Sequence, residues 1–379
     1  ATWAASASAF SINKTYSQIA SQLSALGSSF SAPSITAIVG TIHNPQIQEW
    51  NFQVQQELGR SLALIANYSG NHGVKELYSN AWPNAYDQYG LYPGVAGIPG
   101  SIPVANYGTV TTYQNGALSN YNGLSISLRN RAWHGLNYNF NYTWSHAIDE
   151  VSNGGIFTYG DSLLGQINPT SLRANNYGNA DYDVRNNFNG DLVYQPKIHT
   201  GHRYTDSVLG GWQLGTKIFW RSGLPFSVTD GNSALGNGGG SILATPLTNT
   251  GLQTACGESS TGTPCLNANA FLNGGDASFS NYTGWSPQNR NTFRGPHLFN
   301  MDATLFRTFT IRERMKLAVG AQAFNVLNHP NFALPDSTYG DSTFGQITGM
   351  AGVPTSPYGT GLGYDASPRT VQLSGKLTF

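Results

Sequence analysis

Residues 135–149 read GLNYNFNYTWSHAID. Leu136, Tyr138, Phe140, Tyr142 and Trp144 fall on every second position, and Asn137, Asn139, Asn141, Thr143 and Ser145 lie between them. Successive side chains of a β-strand point to opposite faces, so this stretch is a strand with one greasy face and one amide-rich face. What medium each face meets decides the fold.

The same alternation recurs along the chain. IQEWNFQVQQEL sets Trp50, Phe52 and Val54 against Asn51, Gln53 and Gln55. RSLALIANYSG groups Leu62, Leu64, Ala66 and Tyr68. The short Leu58-Gly59-Arg60 link makes these two a hairpin. YNGLSISLRNR carries Leu124, Ile126 and Leu128 and passes through AWHG into the opening stretch. Further strands carry Phe188, Leu192 and Tyr194; Trp212, Leu214, Ile218 and Trp220; Met301, Ala303 and Leu305; and Met315, Leu317, Val319 and Ala321. The chain ends on TVQLSGKLTF, with Val371, Leu373, Gly375, Leu377 and Phe379 in phase.

About ten such strands are expected, each near the ~9–11 residues that a tilted membrane strand needs. Soluble strands average about 5–6. Short turns (58–60, 132–135, 312–313) alternate with long connections (70–118, 146–183, 229–297, 328–367) rich in Gly, Asn, Tyr, Ser and Pro. Short turns on one rim and long loops on the other is the layout of an outer-membrane barrel. A soluble sandwich also alternates, but its outer face is usually charged. Here the polar faces are Asn, Gln, Ser and Thr, and Trp144, Trp212 and Trp220 sit near segment ends, where a membrane interface favours them. The expected fold is all-β, an antiparallel transmembrane-type barrel or partial barrel of about 10–12 long strands. Its apolar face meets lipid and its polar face the lumen. Residues 1–40 read as a Ser/Ala-rich loop segment with a short helix in YSQIASQLSAL, and residues 41–379 as the barrel portion.

Composition agrees. Charged residues are 10% of 379, well below the ~25% of ordinary globular chains. Lys+Arg and Asp+Glu are both 19, so no basic surplus exists to hold nucleic acid. No apolar run approaches the ~18 residues of a membrane helix. The N-terminus lacks the basic and apolar regions of a signal peptide, so either a signal has been removed or the chain starts within a longer protein. Cys256 and Cys265 stand nine residues apart in a Gly/Ser/Thr/Pro-rich loop. They read as a loop disulfide in an oxidising compartment, or as two free thiols.

With these strands in order, the chain resembles the C-terminal half of the β-barrel of an Oar-like TonB-dependent outer-membrane receptor of acidobacterial type. The stretches carrying the resemblance are NPQIQEWNFQVQQELGRSLALIANYSGNHG, SNYNGLSISLRNRAWHGLNYNFNYTWSHAID, DYDVRNNFNGDLVYQP, LGGWQLGTKIFWRSGLPFSV, RNTFRGPHLFNMDATLFRTFTIRERMKLAVGAQAFNVLNHPNF and the final LSGKLTF. They span residues 44–379. The resemblance implies the bacterial outer membrane, outer-membrane lipid around the barrel, and uptake of a bulky nutrient such as an oligosaccharide, peptide or chelate. It implies a signal peptide, a carboxypeptidase-regulatory-like domain, a TonB box and a plug before the barrel, none of which is recognisable here. The TonB complex is a partner only where that plug is present. Such barrels have about 22 strands, so the chain is expected to cover about half of one. Leu373, Leu377 and Phe379 resemble the C-terminal signal read by the barrel assembly machinery. Two alternatives stand beside uptake: a surface or secreted structural or binding β protein, and a small passive porin.

Other stretches bear on chemistry. No Gly-x-Ser-x-Gly elbow occurs and the histidines are scattered, so no catalytic set and no cofactor is expected. GNGGGS (236–241) lacks the Lys-Ser/Thr of a phosphate cradle and reads as loop. His199, His202 and Asp206 read as a surface turn before a metal site. AIDE (147–150) and DYDVRNN (181–187) cluster carboxylates that either flank strand ends or hold a cation such as calcium. Arg307, Arg312, Arg314 and Lys316 read as heads at the membrane rim around a tight turn. Trp82, Tyr86, Tyr89 and Tyr92 in NAWPNAYDQYGLYPG either stack on a sugar or peptide ligand or pack among the loops.

Overall fold

A computed structural model describes residues 14–25, 32–93, 95–155, 164–198, 201–231, 235–254, 256, 264–272, 284–312, 315–351 and 368–379. Nine long strands carry the fold: β1 (Gln46–Glu57), β2 (Leu62–Asn80), β3 (Val110–Trp133), β4 (Leu136–Asp149), β5 (Asn186–Tyr194), β6 (Trp212–Arg221), β7 (Leu298–Arg312), β8 (Met315–Phe324) and β9 (Thr370–Thr378). Each pairs antiparallel with the next, so sheet order is chain order from β1 to β9. Two short strands, Ile35–Ile38 and Gly178–Asn179, join at β3 and β4. The first of these lies in the stretch read from sequence as loop and runs parallel to Val110–Tyr113; the helix there is Tyr16–Ser24. β1 and β9 are the outer edges, and among the described residues the sheet does not close. The architecture is an all-β partial barrel.

The register places the apolar positions of every strand on one face. One row runs Ala66, Ile126, Tyr142, Phe188, Trp220, Phe299. Two residues further towards the turns, another runs Leu64, Leu128, Phe140, Gly190, Ile218, Met301. A third runs Leu136, Tyr194, Leu214, Leu305, Ala321, Leu373. The opposite face is polar, as in the row Gln53, Asn67, Ser125, Thr143, Asn187, Arg221. A slip of one residue at any pairing would turn a strand's apolar set over, so these rows fix the register. The apolar face is open: Phe52 is 68% exposed, Trp144 57% and Leu373 79%. An uncovered apolar surface of this extent suits a lipid solvent and not water.

The strands meet at two unlike rims. One rim carries the links 58–61, 134–135 and 195–211, and β7 and β9 end there. The other carries the long connections 81–109, 150–185, 222–297 and 325–369. His134 and Gly135 both take positive φ (49° and 84°), as a two-residue hairpin of this twist requires.

β2 and β3 run to 19 and 24 residues, twice the length that the apolar alternation marks. They continue past the apolar band as a hairpin above the loop rim. The change falls at register shifts beside Gly73, Glu76 and Leu77, where Lys75 adopts φ 57°. Beyond it both faces meet loops, so alternation lapses. The buried core accordingly lies in the loops, with the sheet itself a single layer.

Candidate functional site: the loop assembly and the lumen wall

Two apolar clusters hold the loops together. Trp82, Ala85, Leu91, Tyr92, Val95 and Ile242 form the first, with Trp285 set edge-on to Trp82. The Trp82 indole N–H donates to the Gln166 carbonyl at 2.7 Å. Asp87 accepts from the Leu91 and Tyr92 amides, both at 2.9 Å, and so turns this segment inward. Of the four aromatics singled out from sequence, Trp82 and Tyr92 are therefore buried loop core. Tyr86 is half-buried over Gly236, and Tyr89 alone stands free at 65% exposure. The structure does not bring the four together into a stacking platform; Trp82 and Tyr92 bind the loops to one another.

The GNGGGS run has a packing reason. A Cβ on Gly240 would lie 2.5 Å from Trp82 Nε1 and 2.6 Å from the Gln166 carbonyl, so only glycine lets this backbone pass the indole. The second cluster contains Phe226, Val228, Phe271, Phe293 and Phe344, with Tyr339 at its margin. Cys256 and Cys265 are joined in a disulfide on the connection that supplies Leu266 to this cluster.

Between the clusters lies a buried ionic knot. Arg290 is 1% exposed. Its guanidinium donates to Asp149, to Asp181 at 2.6 Å and to Ser152 Oγ at 3.1 Å. Asn291 Nδ2 reaches the same Asp181 at 2.6 Å. Burial lowers the Arg290 pKa to about 9, so it stays protonated at neutral pH and balances the carboxylates. Alongside, Asp183 pairs with Arg294 and, at 3.3 Å, with Arg185, while accepting the Ala147 amide at 2.7 Å. The carboxylates of AIDE and DYDVRNN thus pair with arginines. Among the described residues no group of three or more His, Cys, Asp or Glu is placed to hold a metal. His199 lies outside the described residues; His202 and Asp206 belong to the helix Arg203–Leu209 on the turn rim, where His202 is the N-cap.

Arg307, read from sequence as a head at the membrane rim, pairs with Trp212 near the turn-rim end of β7. It stands on the apolar face, is 7% exposed, and lies 5.5 Å from the Trp212 ring and 4.3 Å from that of Phe309. Its Nη1 and the Trp212 indole N–H both donate to the Val208 carbonyl. The short helix is thereby tied to the outside of the sheet, and the cation is covered by it.

The lumen wall is a ladder of short polar groups. Ser125 meets Thr143 at 2.7 Å, Ser127 donates to Asn141 at 2.6 Å, and Asn141 donates to Asn189 at 3.1 Å. Such a wall is wet and neutral, and it can hydrogen-bond a passing solute in either sense. On the outer face Tyr68 and Tyr142 donate to Asn122 and Asn186 at 2.6 Å, with their hydroxyls towards the loop rim as interfacial aromatics do.

Residues 2–372 match the family described as outer membrane beta barrel domain. No curated protein matches. Similar solved structures include the outer membrane transporter YddB from Escherichia coli (12% identity, 92% of this chain, 35% of that chain, TM-score 0.45). They include the ferric-catecholate import receptor Fiu from E. coli K12 (11%, 88%, 27%, 0.37) and the FrpB iron transporter from Neisseria meningitidis (12%, 90%, 32%, 0.38). The chain spans about a third of the length of those chains. With its family matched over nearly its whole length, and with a sheet apolar outside and polar within, the chain belongs to the outer membrane beta barrel domain family and has its place in the bacterial outer membrane.

Proposed function

We propose that this barrel portion forms part of the wall and the outer loop assembly of a TonB-dependent transporter, Oar-like and of acidobacterial type, that imports a bulky nutrient such as an oligosaccharide, peptide or chelate. The observation that carries the reading is the pair of unpaired edges, β1 and β9, on an otherwise continuous amphipathic sheet. Backbone groups in lipid must be paired, so such a sheet needs further strands to complete it. A lumen closed by about 22 strands, as in the outer-membrane transporters, is wide enough for a plug and a large solute. The order of strands and loops supports the same reading. Energy would come through the TonB complex acting on a plug, and no chemistry on the nutrient is part of the role.

Leu373, Leu377 and Phe379 fit recognition by the barrel assembly machinery. All three are exposed, Leu373 and Leu377 on β9 and Phe379 just past its end at the turn rim. The alternatives make different demands. A small porin closes by itself and conducts ions, and a surface structural protein needs no lipid. The test is ion conductance of the chain in planar bilayers, with nutrient uptake by cells carrying the parent barrel, with and without a protonophore. Uptake that the protonophore abolishes, with no conductance from the chain alone, is the expected result. Steady conductance from the chain alone would replace this reading with the porin.

A further inference from the structure

At the loop end of the sheet, β1, β2 and β3 border an open pocket of about 290 Å³ lined by Glu49, Trp50, Asn51, Ser69, Gly70, Asn71 and Tyr121. The register explains why they converge. Glu49 pairs with Asn71, Asn71 with Tyr121, and Asn51 with Ser69, so these five lie on the polar face in two adjacent rows, with the Trp50–Gly70 pair between the rows on the outer face. Gly123 follows Tyr121 by two residues on the same face and is buried. The Tyr121 ring lies across it, in space that any Cβ on residue 123 would fill. A tyrosine folded down onto glycine lies along the wall, with its hydroxyl end over Gly123.

Among the described residues, the Glu49 carboxylate, the Asn71 amide, the Ser69 hydroxyl and the Tyr121 hydroxyl have no hydrogen-bond partner in the protein. The polar ladder nearer the turns is, by contrast, paired within itself. No Lys or Arg lines the pocket. A flat aromatic face bordered by a carboxylate, amides and a hydroxyl, with no cation, suits a neutral polyhydroxylated ring. The apolar C–H face of a sugar stacks on the tyrosine, and its hydroxyls donate to the carboxylate and amide oxygens. Anionic solutes are disfavoured by Glu49.

We propose that this pocket is a binding subsite for carbohydrate on the lumen wall. The proposal names the nutrient class for the transporter reading and rests on that reading for the ligand's route, though not for binding itself. The experiment is calorimetric titration of the chain in an amine-oxide detergent, since glycosidic detergents would compete. Neutral glucan, mannan and xylan oligosaccharides are the probes, with trilysine and citrate as charged comparisons. One or more of the neutral oligosaccharides binds, and the charged probes do not. Tyr121→Ala weakens binding about tenfold or more, as loss of a stacking face should. Gly123→Val does the same with the tyrosine retained, because the ring is pushed off the wall. Glu49→Gln weakens it about threefold or more, and Ser127→Ala, deeper in the lumen, leaves it unchanged. Heat-modifiable gel mobility shows which variants fold. Should Tyr121→Ala not fold, Glu49→Gln on the exposed edge strand decides. No binding to any neutral oligosaccharide, or binding indifferent to these substitutions, overturns the subsite. Binding without energised uptake removes the transporter reading and keeps the subsite; uptake of a non-carbohydrate with no sugar binding does the reverse.

Discussion

Arg290 and Asp181, 109 residues apart in sequence, meet at 2.6 Å in an interior that leaves each no more than 3% exposed. The same guanidinium holds Asp149, so one cation joins the end of β4, the segment before β5 and the segment before β7. Removing it leaves two buried carboxylates without a counter-charge. Arg290→Met is expected to destabilise the loop assembly by ~3–5 kcal/mol. Limited proteolysis should then cut the loops 150–185 and 222–297 at far lower protease concentration, while the membrane strands stay protected. Combining it with Asp149→Asn and Asp181→Asn should restore much of the resistance. Equal resistance of Arg290→Met and the parent chain would show that the two clusters of aromatic residues hold the loops unaided.

Glu150, next to this knot, responds to pH in the opposite sense from a salt-bridged acid. Burial raises its carboxyl above the ordinary value; the Leu118 amide and Arg173 pull it partly back, and Glu76 pushes it up further. The folded loops therefore bind this proton more tightly than the unfolded chain does. That contribution is largest below the unfolded pKa and is lost as pH rises through the folded one. Loop melting followed by near-UV circular dichroism should come at higher temperature at about pH 5 than at about pH 7.5 for this group's share. Glu150→Gln keeps an oxygen for the Leu118 N–H at 3.1 Å. It should raise the melting temperature at neutral pH and flatten the pH dependence. A steeper dependence in the variant would assign the effect to other groups.

How much of this was legible in the sequence depends on which side of the membrane boundary a residue lies. Period-two alternation records a lipid face and a lumen face, so Phe52, Ile126, Tyr142, Phe188 and Trp220 fell on one side before any coordinates. Above the loop rim both sides of a strand meet polar loop, and the record stops. That is why β2 and β3 outran their expected ends. The loop core was illegible for a different reason. Trp82 meets Gln166 and Gly240, and Arg290 meets Asp149 across 141 residues, so no local spacing encodes either. DYDVRNN showed clustered acids and one local partner, Arg185, but the other two arginines, Arg290 and Arg294, lie more than a hundred residues on.

Leu128 and Ser127 are neighbours in β3 whose side chains take opposite faces. Leu128 stands between Leu64 and Phe140 near the middle of the apolar band, and Ser127 faces Asn141 across the lumen wall. Leu128→Lys should cost about 2–4 kcal/mol in folding into lipid vesicles, as a cation near the midplane does. Ser127→Lys should cost no more than about 1 kcal/mol, losing only a wall hydrogen bond. Urea titration of both variants in the same vesicles measures the difference. A larger cost at Ser127 would invert the assignment of lipid and lumen.

Gly320 and Phe306 show how the wall accommodates a bulky lumen-side ring. They are directly opposed between β7 and β8, and the ring lies over Gly320 where any Cβ would overlap it. The outer face repeats the device: a Cβ would lie 2.5 Å from Phe140 at Gly190 and 2.5 Å from Trp50 at Gly70. Glycine weakens a strand by its freedom in the unfolded chain and by leaving backbone bare, and an aromatic ring laid across it covers that backbone. Gly320→Val therefore trades a good strand former for a clash and should destabilise by ~1–3 kcal/mol despite valine's β propensity. Adding Phe306→Ala removes the obstacle, and the double variant should recover most of that loss. The coupling between the two sites, read from urea midpoints of the single and double variants, should be favourable and above about 1 kcal/mol. Additive effects would mean that the ring swings aside at no cost and that Gly320 is not there to receive it.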